Sequence, residues 1–482
     1  DHRDLHSFPT RRSSDLRQVE SLTAHWFDVN LNYADVKVDP RALVPVEELT
    51  LPTGSCPYFY AWDGRRFRFV TDILGAAPAG LRVSDTRFVE ADPEEYVWIG
   101  GEAMFPPHEG DYLLAITSEL REVIYLDEAR LVAVDHPPGT EVHTTGKMVP
   151  GKPFPRHELV TLRRRQPLVG ALTHEGRDVT ARLQETDREL VSPTRLRIPQ
   201  LRGLTEPHSV TLDFGPLSVE RPLVLALTGW LRFGGGMVNV GASHHPELPF
   251  PFPVLEVETA DGQWRPVDVM VGTPAGKTKT ILVDLAGKLP PGARRLRLGT
   301  AFEIHWDRIA LFEKRDNAET RITELHPDKT DLHWHGYGEY EDWPWYYPLT
   351  PIHDRVSDTA KWSIMPTGWC TRYGEVGELV ARRDNALALI NGGDELTLRF
   401  KADRVPSKPA GAVRDFFLYS VGWEKDSDFH CELGWQVDPL PWHGMDDQRY
   451  GHEPRPALPE ADALMAKRSE EHTSELQSRL HL

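Results

Sequence analysis

Cysteine is scarce: the 482 residues hold three, Cys56, Cys370 and Cys431. Thiols so few and so scattered cannot build a disulfide framework, and none stands in a CxxC pair, so a cysteine zinc site is excluded while a single bridge stays open. Positive charge is also in deficit, with 55 Lys and Arg against 73 Asp and Glu and a formal charge of −18. That balance argues against nucleic acid or an anionic membrane as partner, since both require a basic footprint. No apolar run approaches the roughly 20 residues that a membrane-spanning helix needs. Catalytic signatures are missing too: there is no GxSxG elbow, HExxH, P-loop or cysteine in a nucleophile signature.

Turn formers, by contrast, abound. Gly 37 and Pro 40 suit short strands joined by many loops and disfavour a helical repeat. FYAWDGRRFRFV (59–70) and VLEVETADGQWRPVDV (254–269) each place Asp-Gly between two apolar runs, which predicts hairpins with two-residue type I′ turns. Strands are expected over 112–119, 122–136, 222–233, 278–287, 294–313 and 394–402. Helices are expected only at EVGELVARR (375–383) and near ADALMAK (461–467). The expected fold class is mainly β, with two or three β-sandwich or jelly-roll-like regions. Pro, Gly and charge divide the chain into a β domain over 55–150, a jelly-roll-like sandwich over 151–320 and a β-rich region with a short helix over 321–460. The first and third are irregular enough to pack on each other.

The ends read differently. RSEEHTSELQS (468–478) back-translates to a sequencing-library adapter, and HSFPTRRSSDL (6–16) resembles the opposite one. Residues 1–16 and 468–482 are therefore expected to be adapter-derived, disordered tails on a fragment, and 17–54 a linker or the end of an upstream domain. A missing signal peptide then says nothing about compartment.

Four stretches together carry a resemblance: SCPYFYAWDGRRFRFVTDILG (55–75), EARLVAVDHPPGTEV (128–142), LGTAFEIHWDRIAL (298–311) and VRDFFLYSVGWEKDSD (413–428). Over residues 50–450 the chain resembles the C-terminal module of bacterial FG-GAP and ASPIC/UnbV proteins, a cartilage-acidic-protein-like group. The resemblance implies a noncatalytic β-rich module of a secreted or envelope-associated protein, partnered by upstream domains of the same chain. It implies no site residues.

DLHWHGYGEYEDWPWYYP (331–348) is the stretch richest in chemistry. On a strand, Asp331, His333 and His335 project from one face. Imidazoles at i and i+2, roughly 7 Å apart at the backbone, can lean onto one ion, whereas Asp331, roughly 13 Å from His335, cannot easily share it. A further ligand would come from His353, His430 or His443. The competing reading is two strand histidines that hydrogen-bond or face water. The flat rings of Trp334, Trp343, Trp345 and Tyr346 can contact a sugar, but Tyr and Trp also fill interfaces, and Pro344 and Pro348 suit a segment lying against another domain. Asp426 and Asp428 open a calcium-like loop without the later glycine and glutamate of an EF-hand, which leaves a looser oxygen cage or a polar turn. The triple glycine 234–236 reads as a turn or bulge, not a phosphate loop.

The sequence requires no cofactor; calcium at Asp426 and Asp428, or zinc at His333 and His335, are the ions left open. The leading expectation is a noncatalytic binding or scaffolding module with a glycan or protein ligand. The alternatives are a carbohydrate-active hydrolase using Glu339 and Glu341 as its two carboxyl groups, and a purely structural spacer.

Overall fold

The computed structural model describes residues 57–472 except 85, 198–201, 245–251, 316–318, 345, 360–364 and 428–429. The chain is mainly β, as expected, and the described residues hold two α-helices. Four antiparallel sheets carry most of the strands. Sheet I runs in the order Lys329–Trp334, Asp394–Lys401, Asp111–Thr117, Tyr58–Trp62, Phe67–Asp72. Sheet II runs Arg321–Leu325, Glu122–His136, Val413–Asp426, Glu94–Gly101, with Ala388–Asn391 also on the Glu122–His136 strand. Sheet III runs Gly170–Thr173, Leu204–Asp213, Leu296–Phe302, Val254–Glu258, Trp264–Pro266, and sheet IV runs Lys279–Asp284, Leu223–Leu231, Ile304–Lys314, Leu159–Gln166, Thr140–Thr144.

Period-two patterning explains the layers. In Asp394–Lys401, Leu396, Leu398 and Phe400 are buried while Arg399 and Lys401 are exposed. Those apolar side chains meet Phe59, Leu114 and Ile116 of their own sheet and Ile124, Leu131, Phe416 and Leu418 of sheet II, closing one core. Sheets III and IV close a second around Leu212, Leu255, Leu298, Leu225, Ile281 and Ile309. The strand Glu122–His136 departs from alternation, being buried on both faces. Its other face supplies Val132 and Val134 to a smaller cluster with Phe417, Val421, Val142 and Leu159, which joins the two sandwiches.

The domain boundaries change accordingly. Sheets I and II draw strands from both 55–150 and 321–460, and Thr140–Thr144, assigned to the first region, pairs with Leu159–Gln166 in sheet IV. Both expected hairpins form, but their loops are longer than two residues. Asp63 Oδ1 accepts from the amides of Arg65 and Arg66 before Phe67 pairs with Trp62, and Trp264 pairs with Glu258 across residues 259–263.

Two local expectations fail. The helix over 375–383 is a single 3-10 turn, Gly377–Leu379, because Glu375 is spent on cross-linking Thr330 and because Val376, Leu379 and Val380 are drawn into the core. The triple glycine opens a helix, Gly235–Ser243, rather than forming a bulge. Gly234 there lies where a Cβ would stand 2.7 Å from Val238 and 2.8 Å from the Arg202 carbonyl. The expected C-terminal helix forms as Pro459–Arg468, with proline in its first turn. Ser469–His472 then pairs with Gly368–Thr371, so disorder from 468 onward fails for its first residues, anchored by Arg468 and Lys467 on Glu378. Residues 1–16, 17–54 and the remainder of that tail lie outside the described residues, as does Cys56. Cys370 and Cys431 are free and buried, so the bridge left open does not join them.

A buried ion network ties the sandwiches together. Lys279, at the start of its sheet IV strand, reaches Asp72 of sheet I at 2.9 Å and Glu95 of sheet II at 3.0 Å. Both oxygens of Asp72 also accept the Lys277 amide at 3.0 Å, and Glu95 accepts the Leu74 amide at 2.8 Å. Burial opposes the charge on Lys279, but the two carboxylates outweigh it and raise its pKa; burial raises Glu95, against the pull of Lys279.

Two expectations follow from these buried cations. Lys279→Met leaves two carboxylates buried without their partner and should cost about 3–5 kcal/mol in urea unfolding, with much of it recovered when Asp72→Asn and Glu95→Gln are added. Full stability in the single variant would show the network to be idle. Lys425 is fully buried and donates to the carbonyls of Val437 (2.9 Å) and Asp438 (3.1 Å) and to the Tyr450 hydroxyl (2.9 Å). Burial brings its pKa down from 10.5 to about 7. Between those values only the unfolded chain keeps the proton, so stability rises with pH by at most about 1.4 kcal/mol per unit. Wild type should therefore gain on Lys425→Met between about pH 7 and 9 in denaturant titrations, and a constant gap would refute a neutral interior lysine.

Candidate metal centre and cleft

The HxH segment forms the edge of sheet I. Lys329–Trp334 buries Thr330 and Leu332 and turns Asp331 and His333 outward, which the alternating pattern implies. Register sets His333 directly opposite Glu395 on Asp394–Lys401. The strand stops at Trp334 because the Gly393 carbonyl accepts both the His335 amide (2.8 Å) and the Gly336 amide (2.9 Å), while Gly336 takes a φ of +106° that favours glycine. The chain then leaves sheet I and forms a separate ribbon, Tyr337–Tyr340 with Pro351–Ser357. That ribbon returns His353 to the same place.

Three imidazoles converge on one carboxylate. His353 Nε2 lies 2.7 Å and His335 Nδ1 3.2 Å from Glu395 Oε2, and His333 Nε2 lies 3.6 Å from Glu395 Oε1. One donor atom from each of His335, His353 and Glu395 falls within 4.8 Å of the others. Glu395 is 4% exposed and His335 and His353 are 12% exposed, so the cluster is largely shielded, whereas His333 at 38% meets solvent. Thr397 holds Glu395 through a 2.9 Å hydrogen bond to Oε1. The His353 ring is wedged against Tyr60 at 5.0 Å, Phe67 at 4.7 Å and His335 at 4.5 Å between centroids.

Electrostatics separate the two buried rings. Burial holds His335 below its ordinary pKa, only partly offset by Glu395 and reinforced by His353. Burial works against charge on His353 as well, but the hydrogen bond and charge of Glu395 and the nearby Asp354 carry its pKa upward. Burial would raise Glu395, yet His353 and His335 bring it below its ordinary value. Glu119 lies beside this cluster. It accepts the Tyr60 hydroxyl (2.8 Å), the Thr117 hydroxyl (2.9 Å) and the Gly338 amide (2.8 Å). A Cβ at Gly338 would come within 2.5 Å of that carboxylate, so a larger residue there would displace the Glu119 side chain.

His353 also lines a cleft of about 860 Å³ between the sandwiches. Its wall from the first sandwich includes Arg66, Trp98 and Glu95, and its wall from the second includes Arg188, Lys279 and Arg308. The segment after the ribbon closes one side: Tyr347 and Glu341 line the cleft, and the Tyr346 carbonyl accepts the Trp230 indole at 3.2 Å.

The expected site residues thus scatter. His333 and His335 come together with His353, one of the three further ligands expected, while His443 is taken by Asp127 at 2.6 Å and the His430 carbonyl accepts the Arg82 amide far from the cluster. Asp331 approaches His333 alone, at 3.2 Å. Trp334 packs edge-on to Tyr337 and covers Gly393. Trp343 and Tyr347 are tilted on each other at 5.0 Å, and the Arg188 guanidinium lies over both rings at 4.9 and 5.1 Å. That cap and the Tyr346 contact to Trp230 pack the segment against the second sandwich, while Trp343 and Tyr346 stay 38% and 37% exposed. Asp426 faces Arg121 at 3.6 Å, a cation where a calcium site would need oxygens. Trp345 and Asp428 lie outside the described residues.

Glu395 is the residue that sequence reasoning did not find. DELTLRF was legible as a strand, but only the register with Lys329–Trp334 places its second residue opposite His333. No protein-family model matches the chain, and no curated protein matches it at a significant score.

Proposed function

We propose that the chain is a noncatalytic binding module that takes an oligosaccharide in the cleft between its two sandwiches, within a secreted or envelope-associated bacterial protein of the kind its sequence resembles. Cavities of several hundred Å³ with a few aromatic surfaces and convergent polar groups are the usual form of a ligand site. The rim offers Trp98, 48% exposed, as a flat surface for a sugar face.

The observation that carries the noncatalytic part is the state of the cleft's carboxylates. Glu141 is gripped by both nitrogens of Arg308 (2.9 and 2.7 Å), Asp92 by His157 (3.0 Å) and Glu95 by Lys279. Asp307 accepts the amides of Asp187 (3.2 Å) and Arg188 (3.0 Å), and Glu341 accepts the Trp343 indole (2.5 Å). Glycoside hydrolysis needs one carboxyl that gives a proton and a second that attacks or activates water, each free to act. Carboxylates already committed to cations and amides instead present fixed acceptors to hydroxyl groups.

Calorimetric titration of the full chain with a panel of soluble oligosaccharides, for wild type and Trp98→Ala, tests this. At least one glycan should bind intact, with a loss of about tenfold in the variant. Binding of none, or cleavage of the glycan that binds, would overturn it.

A further inference from the structure

We propose that His335, His353 and Glu395 hold a divalent transition ion of the zinc class, with the exposed His333 swinging in as a fourth ligand. The site stands apart from the oligosaccharide reading; of its four proposed ligands, His353 also lines the cleft.

The donor set selects the ion. Imidazole nitrogen with a single carboxylate suits zinc and its neighbours, whereas calcium and magnesium require a shell of oxygens. The spacing is compatible. Zinc bound tetrahedrally at about 2.0–2.1 Å separates its ligand atoms by about 3.3 Å. The contacts of 2.7 Å (His353 Nε2 to Glu395 Oε2), 3.2 Å (His335 Nδ1 to Glu395 Oε2) and 3.6 Å (His333 Nε2 to Glu395 Oε1) bracket that value.

A further feature favours an ion over a plain hydrogen-bonded cluster. The outer nitrogen of His353, Nδ1, is hydrogen-bonded to Asp354 at 3.3 Å. Carboxylates behind ligating histidines orient the ring and direct its other nitrogen at the metal. Here His353 Nε2 points toward Glu395, which Thr397 fixes from the side.

An ion at this point would staple three segments distant in sequence: the end of the Lys329–Trp334 edge, the Asp394–Lys401 strand and the Pro351–Ser357 ribbon. Edge strands and two-stranded ribbons are weakly held by themselves. The staple therefore acts where the sheet has least support.

Metal-stripped full chain, titrated separately with zinc, calcium and magnesium, tests the proposal by calorimetry and by the visible absorption of cobalt substituted for zinc. One zinc per chain should bind, raise the melting temperature and give the intense cobalt bands of a tetrahedral site, while calcium and magnesium bind far more weakly. His335→Gln and His353→Gln should each lose zinc affinity by about a hundredfold and His333→Gln by about tenfold, whereas His452→Gln, outside the cluster, should match wild type. Zinc affinity equal in wild type and in His335→Gln would overturn the site, as would calcium binding as tightly as zinc. Should His353→Gln fail to fold, the cobalt spectrum of wild type decides, because a spectrum without tetrahedral character excludes the proposed shell.

Discussion

The insertion of one lysine between two carboxylates governs how the halves of this protein meet. Lys279 belongs to sheet IV, Asp72 to sheet I and Glu95 to sheet II, so a single lysine joins three of the four main sheets. At 13% exposure it is too buried to be an ordinary surface ion pair, whose worth is small. Its partners are buried with it, so the penalty for separating them is a desolvated charge on each side. The apolar contact between the sandwiches, built on Val132, Val134, Val142 and Leu159, supplies attraction without direction. The ion network supplies the direction, and the cleft inherits its shape from both.

This division of labour explains why Glu122–His136 is buried on both faces. An antiparallel strand with one solvated face alternates polar and apolar residues, and a run buried on both sides signals cover above and below. Ile124, Leu131 and Ala133 face the core of the first sandwich, while Val132 and Val134 face the second. Its polar residues are paired: at mid-strand Asp127 takes His443 at 2.6 Å and Glu128 takes Arg130 at 3.2 Å, and near the end Asp135 takes Arg414 at 2.6 Å and also Arg321. The two arginines on Asp135 satisfy a carboxylate that would otherwise be stranded, and their combined pull outweighs burial to keep its pKa low.

The strands were legible because period-two patterning is local, and the C-terminal helix because Pro459 and the acidic first turn mark its start. The failures share a cause, which is tertiary demand on residues that local propensity assigns elsewhere. Val376 and Leu379 are worth more in the core than in an exposed helix, and Gly234 is placed by its approach to Val238 and Arg202. The site divides the same way. His333 and His335 announce themselves by spacing, and His353 could be named only as one of three histidines. Glu395 depended on strand register across some sixty residues of chain, which no local pattern encodes.

Glu119 and Glu395 show why the cluster differs from an ordinary buried acid. Both are almost fully buried at the same end of sheet I, where Glu395 pairs across the ladder with Thr117. Glu119 is met by a phenol, a hydroxyl and an amide, each of which donates a hydrogen in any protonation state of the site. Glu395 has one such donor, Thr397, and otherwise faces three imidazoles, each of which can present either a proton or a lone pair. A neutral imidazole donates from one nitrogen only, so three rings around one carboxylate leave lone pairs that hydrogen bonds to that carboxylate cannot use. A cation seated among the nitrogens that face Glu395 would accept such lone pairs and balance the carboxylate in a single step.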